Sequence, residues 1–215
     1  MIWQSLLFIM QELDSYLQSL NPTDPPPLVV GGNIGMSTAC GGTETFMDGR
    51  VVLSVVNSME EDTLRNSPPL RVVTPTGTEH QNAPIFLNLY LLFTASFGTT
   101  TTDPGTGSTQ YGRSMTRISQ IIGFFQGKRE FSIQNTQDPT LILDPDLQDL
   151  KIKMEMVSLS FEQINYLWGS LGGKQLPFVM FKAHVVPIRR ENLTARGGIV
   201  QDIITNTLNA ENLSK

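Results

Sequence analysis

Apolar and polar positions repeat along this chain with two different periods, and the switches between them mark the elements. From Leu150 the period is two: Leu150, Ile152, Met154 and Met156 face one way and Lys151, Lys153 and Glu155 the other, which predicts a half-buried strand. Ser160 followed by Gln163 has the spacing of a capping box, in which hydroxyl and amide satisfy otherwise orphaned N–H groups of a first helical turn. Phe161, Ile164, Leu167, Trp168 and Leu171 then step by three and four, predicting a helix with one buried face, and Gly172–Gly173 lets the backbone leave it. A second strand is predicted from Phe178 to Val186, stopping at Pro187, whose missing N–H cannot serve a ladder. Leu150 to Ile188 therefore reads as a complete strand–helix–strand unit.

The same reasoning covers most of the remaining chain. Trp3, Leu6, Met10, Leu13, Leu17 and Leu20, widened by Ile2, Ile9 and Tyr16, form the apolar seam of a helix about 30 Å long, suited to lying on the protein's own sheet or on a neighbouring subunit. Pro22 and Pro25-Pro26-Pro27 end it. After a glycine-rich stretch, Gly31 to Gly49, the β-branched run Val51 to Val56 predicts a buried strand. Pro68, Pro69 and Pro75 mark a polar link, and Ile85 to Thr94, apolar on both faces, predicts a central strand. Gly98 to Gln110 has no apolar material to fold onto and reads as an exposed, mobile loop, followed by a helix from about Tyr111 to Gln126. Beyond Ile188 the β-branched content of Ile199, Val200, Ile203, Ile204 favours an extended arm but permits a short helix.

Composition narrows the class. A chain of 215 residues with 40% hydrophobic and 16% charged residues is no disordered polymer, and its uncharged surface suits an assembly subunit. A net charge of −5 argues against sequence-independent nucleic-acid binding, which relies on clustered cations. The single Cys40 cannot form an internal disulfide, which fits the cytoplasm. No basic region precedes the apolar N-terminal residues, as a signal peptide requires, and no run approaches the roughly 20 apolar residues of a membrane span.

Candidate chemistry is sparse, and no cofactor or metal is expected. His80 sits in a polar loop and His184 in a strand, neither with a cysteine or second histidine nearby in sequence. Nothing adjacent would stabilise a Cys40 thiolate, so it reads as a small hydrophobe. Gly169 to Gln175 imitates a phosphate-binding loop, but its glycines follow a helix where a phosphate cradle opens one. Gly31-Gly32-Asn33-Ile34-Gly35 fits no dinucleotide fingerprint. Glu60, Glu61 and Asp62 are adjacent, so they project apart and read as a solvated strand end, not a paired acid and base. Asp144, Asp146 and Asp149 lack the glycine and glutamate of a calcium loop, and the sequons at Asn192 and Asn212 carry no meaning in a cytoplasmic chain. The expectation is a protein that is not an enzyme.

Four blocks occur in order: Val51 to Asn57 running into Glu60-Glu61-Asp62-Thr63-Leu64-Arg65-Asn66; Leu87-Asn88-Leu89-Tyr90-Leu91-Leu92-Phe93-Thr94-Ala95; Ile121-Ile122-Gly123-Phe124-Phe125-Gln126; and Leu159-Ser160-Phe161-Glu162-Gln163-Ile164-Asn165-Tyr166-Leu167-Trp168-Gly169. Their order and wording over roughly Met1 to Ile188 resemble the cap, or tail-terminator, proteins of phage-tail-like contractile injection systems. The resemblance implies an α/β (α+β) subunit: a mixed β-sheet flanked by helices in a tail-terminator-like domain, residues 1–188, with a C-terminal arm, residues 189–215. It implies a homohexameric ring on the distal end of the inner tube and sheath, ending polymerisation there, in a particle assembled in the cytoplasm and open to release. Partners are then other copies and the tube and sheath subunits, with no nucleic acid and no membrane contact. Ile199, Val200, Ile203 and Ile204 are the candidate contact residues, since an extended arm can add a strand to an exposed edge. The competing readings are an adaptor or baseplate-proximal ring of such a particle, a small-molecule-binding domain or hydrolase using His184 or Cys40, and a membrane anchor through the first helix.

Overall fold

The computed structural model describes residues 2–64, 70–74, 77–81, 85–96, 110–136, 150–188 and 193–197, and for 70–74, 77–81, 185–188 and 193–197 the backbone alone. Along the chain these form α1 (Ile2–Leu20), β1 (Val29–Gly31), β2 (Arg50–Glu60), β3 (Leu70–Thr74), β4 (Gly77–Gln81), β5 (Ile85–Ser96), α2 (Gln110–Gly127), β6 (Glu130–Ser132), β7 (Lys151–Val157), α3 (Phe161–Ser170), β8 (Phe178–Ile188) and β9 (Leu193–Gly197). Two compact units result, one from Met1–Arg65 with Ile85–Ile188, the other from Asn66–Pro84 with Arg189–Lys215.

The first unit is built on a six-stranded sheet in the order β1-β2-β5-β8-β7-β6. Its β1–β2 pair is parallel and the other pairs are antiparallel, so the sheet is mixed, with helices on both faces. The doubly apolar strand β5 lies centrally: Leu89, Leu91, Phe93 and Ala95 join the core under α1 and α2, while Leu92 joins a second cluster with Ile34, Met47, Val52, Trp168 and Met180. The first core is aromatic at its centre, Phe125 stacking 4.4 Å from Phe181 and 5.2 Å from Phe93. Aromatic pairs of this kind add to simple area burial.

Helix α1 lies on this sheet, yet its seam is wider than the apolar spacing predicts. Ser5, Leu6, Phe8, Ile9, Met10, Glu12, Leu13 and Leu17 are all buried, because α1 is pressed against α2 as well as against the strands. Trp3 and Leu20, predicted in the seam, are exposed near its ends. Glu12 is tolerated because Lys128 Nζ donates to it at 2.8 Å and Thr136 Oγ1 donates as well. Asp14 accepts from the backbone N–H groups of Leu28 (2.6 Å) and Val29 (2.9 Å), so one carboxylate pins the start of β1 to the helix. Arg117 of α2, buried by the same packing, donates to Asp24 and to Gln120 (2.9 Å) and ties down the proline-rich turn.

On the opposite face α3 begins with the predicted capping box, Gln163 N–H donating to Ser160 Oγ at 3.3 Å and Ser160 N–H to Gln163 Oε1 at 2.9 Å. Gly172 (φ 109°) and Gly173 (φ 80°) leave it through left-handed backbone. Trp168 is buried, but Phe161 is 90% exposed. It shares Trp168's side of the helix, yet lies about 10 Å nearer its N-terminal end. Two more expectations fail at the strand ends. Met156 is 53% exposed because β6 flanks β7 only from Lys151 to Lys153. Pro187 does not stop β8; it pairs in register with Phe86 and lies beyond His184, the last β8 residue in register with β7, so its missing N–H costs that ladder nothing.

In the second unit β3 and β4 form an antiparallel hairpin from Leu70↔Gln81 to Thr74↔Gly77, and β4 pairs with β9 from Thr78↔Gly197 to Gln81↔Leu193. The segment that read as a proline-containing link therefore contains two strands, and His80 sits in one of them, not in a loop. Residues 98–109, predicted as a loop, lie outside the described residues.

Candidate assembly surfaces

The contact residues expected from the sequence, Ile199, Val200, Ile203 and Ile204, lie outside the described residues, as do Asp144, Asp146, Asp149, Asn192 and Asn212. Within the first unit, His184, Cys40 and the Glu60–Asp62 carboxylates each keep separate surroundings. His184 Nε2 is 2.9 Å from Glu155 Oε2 across the β7–β8 pair, at the sheet surface. Cys40, within the glycine-rich stretch, is buried with its thiol 3.9 Å from the Lys174 carbonyl, and burial pushes its pKa upward, against thiolate formation. Among the described residues no group of three or more His, Cys, Asp or Glu could hold a metal ion, and no helix is long and apolar enough to cross a membrane.

Glu60, Glu61 and Asp62 end β2. Glu61 accepts from Thr63 Oγ1 at 2.6 Å and from Asn88 Nδ2 at 2.7 Å, which together hold its carboxyl at about 2, below the usual 4.5. A lowered carboxyl pKa stabilises the folded chain above the ordinary value and ceases to do so as pH falls through the lowered one. The stability difference between the parent and Glu61→Gln is expected to be constant above about pH 5 and to shrink between 4.5 and 2 in urea unfolding. A difference that does not vary with pH would remove Glu61 from the account.

Three surfaces remain with side chains disposed for contact. The first follows the β1 margin of the sheet. β1 pairs with β2 only from Val51 to Leu53, so Val55 to Glu60 of β2 have β5 on one side and, among the described residues, no strand on the other. Beside that free side runs a groove of ≈ 380 Å³ lined by Trp3, Val55, Leu167 and Leu171. The second is the β7 margin, where Glu155 to Val157 pair, among the described residues, with β8 alone, next to a groove of ≈ 430 Å³ lined by Ile122, Phe125, Arg129, Lys153, Glu155 and Met156. The third is α3, where Phe161 at its start and Tyr166 on its outer side are 90% and 78% exposed. Unpaired strand edges offer backbone N–H and C=O groups for strand addition, and neighbouring apolar grooves add side-chain selection. Local patterning missed these surfaces, because each depends on where a neighbouring strand or helix stops.

Comparison with known proteins gives the fold and the family. The chain has the fold of a chain solved in an extracellular contractile injection system, described as the PVC sheath/tube terminator in extended state: TM-score 0.58 at 13% identity, covering 97% of this chain and 65% of that one. It is likewise similar to the anti-feeding prophage cap, described as a tube terminating cap: TM-score 0.59 at 13% identity, covering 93% of this chain and 60% of that one. The chain thus spans less than two-thirds of the length of either. No curated protein sequence matches it significantly. The family model of the Pvc16 N-terminal domain matches residues 8–202, nearly the whole sequence, and the chain belongs to that family.

Proposed function

We propose that this chain is a terminator subunit of a contractile injection system, forming a six-fold ring on the distal end of the tube and sheath and ending their polymerisation. The observation that carries the reading is the fold shared over almost the whole chain with two tube or sheath terminators. The open margins of β2 and β7 support it physically. A growing filament end presents unpaired groups to the next subunit, and a protein that satisfies them without regenerating the same surface stops growth. In a closed ring each copy repeats the same pair of unlike patches, so weak contacts act together. The role needs no catalytic group and agrees with the scattered placement of His184, Cys40 and Glu61.

Imaging of particles from a deletion strain tests the proposal. Overlong or ragged tubes are expected, with normal lengths restored by the full chain; wild-type lengths without it would sink the reading. The same assay examines the C-terminal arm as a tube or sheath contact. Complementation with Ile199→Asp and Ile203→Asp leaves β9 unaltered, and ragged lengths are expected if these positions dock.

A further inference from the structure

The three helices are held unevenly. Helix α1 buries eight residues and α2 six, whereas α3, ten residues long, fully buries Trp168 alone and half-buries Ile164 and Leu167. Among the described residues no strand or helix runs as close along α3 as β1 does along α1 or β5 along α2. Isolated helices shorter than about 12–15 residues are marginal in water, so α3 depends on this thin packing. The packing carries a cost of its own. Among the described residues, the buried side-chain polar atoms without a hydrogen-bond partner are Asn88 Oδ1, Thr94 Oγ1 and Trp168 Nε1. Asn88 and Thr94 alternate along β5 with Leu89, Leu91 and Phe93 of the first core, so they face the α3 side of the sheet, where Trp168 packs. An unpaired buried donor or acceptor opposes burial, and these three oppose it on one side only.

We propose that α3 is a release element of the fold: as a minor state of the folded chain it melts off the sheet while the six strands, α1 and α2 stay intact. The closed state dominates because Trp168 meets Phe178 edge-on at 5.5 Å and the capping box secures the first turn. At the exit the backbones interlock: a Cβ at Gly35 would lie 3.1 Å from the Leu171 carbonyl oxygen, and one at Gly172 3.0 Å from that of Cys40. Opening is therefore confined to the helix, with its exit held by the glycine-rich stretch. Release uncovers Val52, Leu92 and Met180, an apolar face across the three middle strands β2, β5 and β8. The chain then alternates between a covered and an uncovered state, and any contact with α3 shifts that balance. This goes beyond the terminator reading and does not depend on it.

Native-state hydrogen exchange on the full chain tests the proposal. The amides of Asn165, Leu167 and Trp168 are expected to be at least about a hundredfold less protected than those of Leu91, Phe93 and Ile121, and to respond little to low urea, as local openings do. Phe93→Ala is the decisive variant, because Phe93 lies in the first core, which the open state keeps. It is expected to speed exchange of the core amides by about a hundredfold or more through global unfolding, and to leave the α3 amides within about twofold of the parent. If Phe93→Ala does not fold, Ile121→Val in the same core makes the same test with a gentler loss, about two- to tenfold in the core amides and none in α3. Equal protection of α3 and β5 in the parent, or α3 amides that speed up in step with the core, overturns the proposal. Tube length in the deletion strain is the separate readout of the terminator reading.

Discussion

Replacing Phe93 by alanine is expected to lower stability by about 3–5 kcal/mol, among the largest effects of any single substitution in this chain. Phe93 is fully buried at the middle of the central strand, with β2 on one side through Leu53 and β8 on the other through Val179. Its ring meets Phe125 at 5.2 Å and Phe181 edge-on at 5.8 Å. Truncation removes the apolar surface of a ring and leaves a cavity bounded by strands that cannot close, since each is held by two ladders. Urea unfolding measures it, with the half-exposed Val55→Ala as a control expected within about 0.5 kcal/mol of the parent. A loss under about 1.5 kcal/mol would mean that α2 can sink into the vacancy and that the aromatic cluster is not the rigid centre described above.

Gly42→Ala is expected to cost about 3 kcal/mol by a different route, at the upper end of ordinary overpacking. A Cβ at Gly42 would lie 2.0 Å from the Met36 carbonyl oxygen and 2.2 Å from its carbon, so the neighbour that must move is backbone. That backbone is committed: Met36 O accepts from Glu44 N–H at 3.0 Å, and Gly42 N–H donates to Ser37 O at 2.9 Å. The segment so closed carries Ile34, Cys40 and Met47 onto Val52 and Trp168. Damage should therefore appear as a red shift of Trp168 fluorescence, with α1 and its side of the sheet spared. Gly127→Ala, with nothing within 4 Å of the added carbon, is the control. Unchanged Trp168 emission together with parent-like stability would show that the glycine-rich stretch is not the fixed cover of that face.

The two substitutions probe opposite faces of one sheet, and the division matters for the proposed role. Both faces are occupied, by α1 and α2 on one and by α3 with the glycine-rich stretch on the other. Among the described residues of this unit, the margins of the sheet and the outer side of α3 are left open. A terminator has to combine a rigid body with edges that still accept a strand, and burial on both faces supplies the rigidity.

The sequence alone determined the elements whose cause is local. The capping box of Ser160 and Gln163, the glycine exit at Gly172–Gly173, the span of α2 and the doubly apolar β5 all depend on residues a few positions apart, so the linear pattern contains their physics. The resemblance of four ordered blocks likewise led to the family. Tertiary structure alone decided everything that rests on neighbours distant in the chain: the burial of Phe8 and Glu12 between α1 and α2, the exposure of Phe161 and Met156, and the pairing of β4 with β9. The free margins of β2 and β7 belong to the same group. A strand's own residues state that it wants partners, but how far each partner extends is set by chain segments elsewhere, and only the folded sheet shows where the pairing ends.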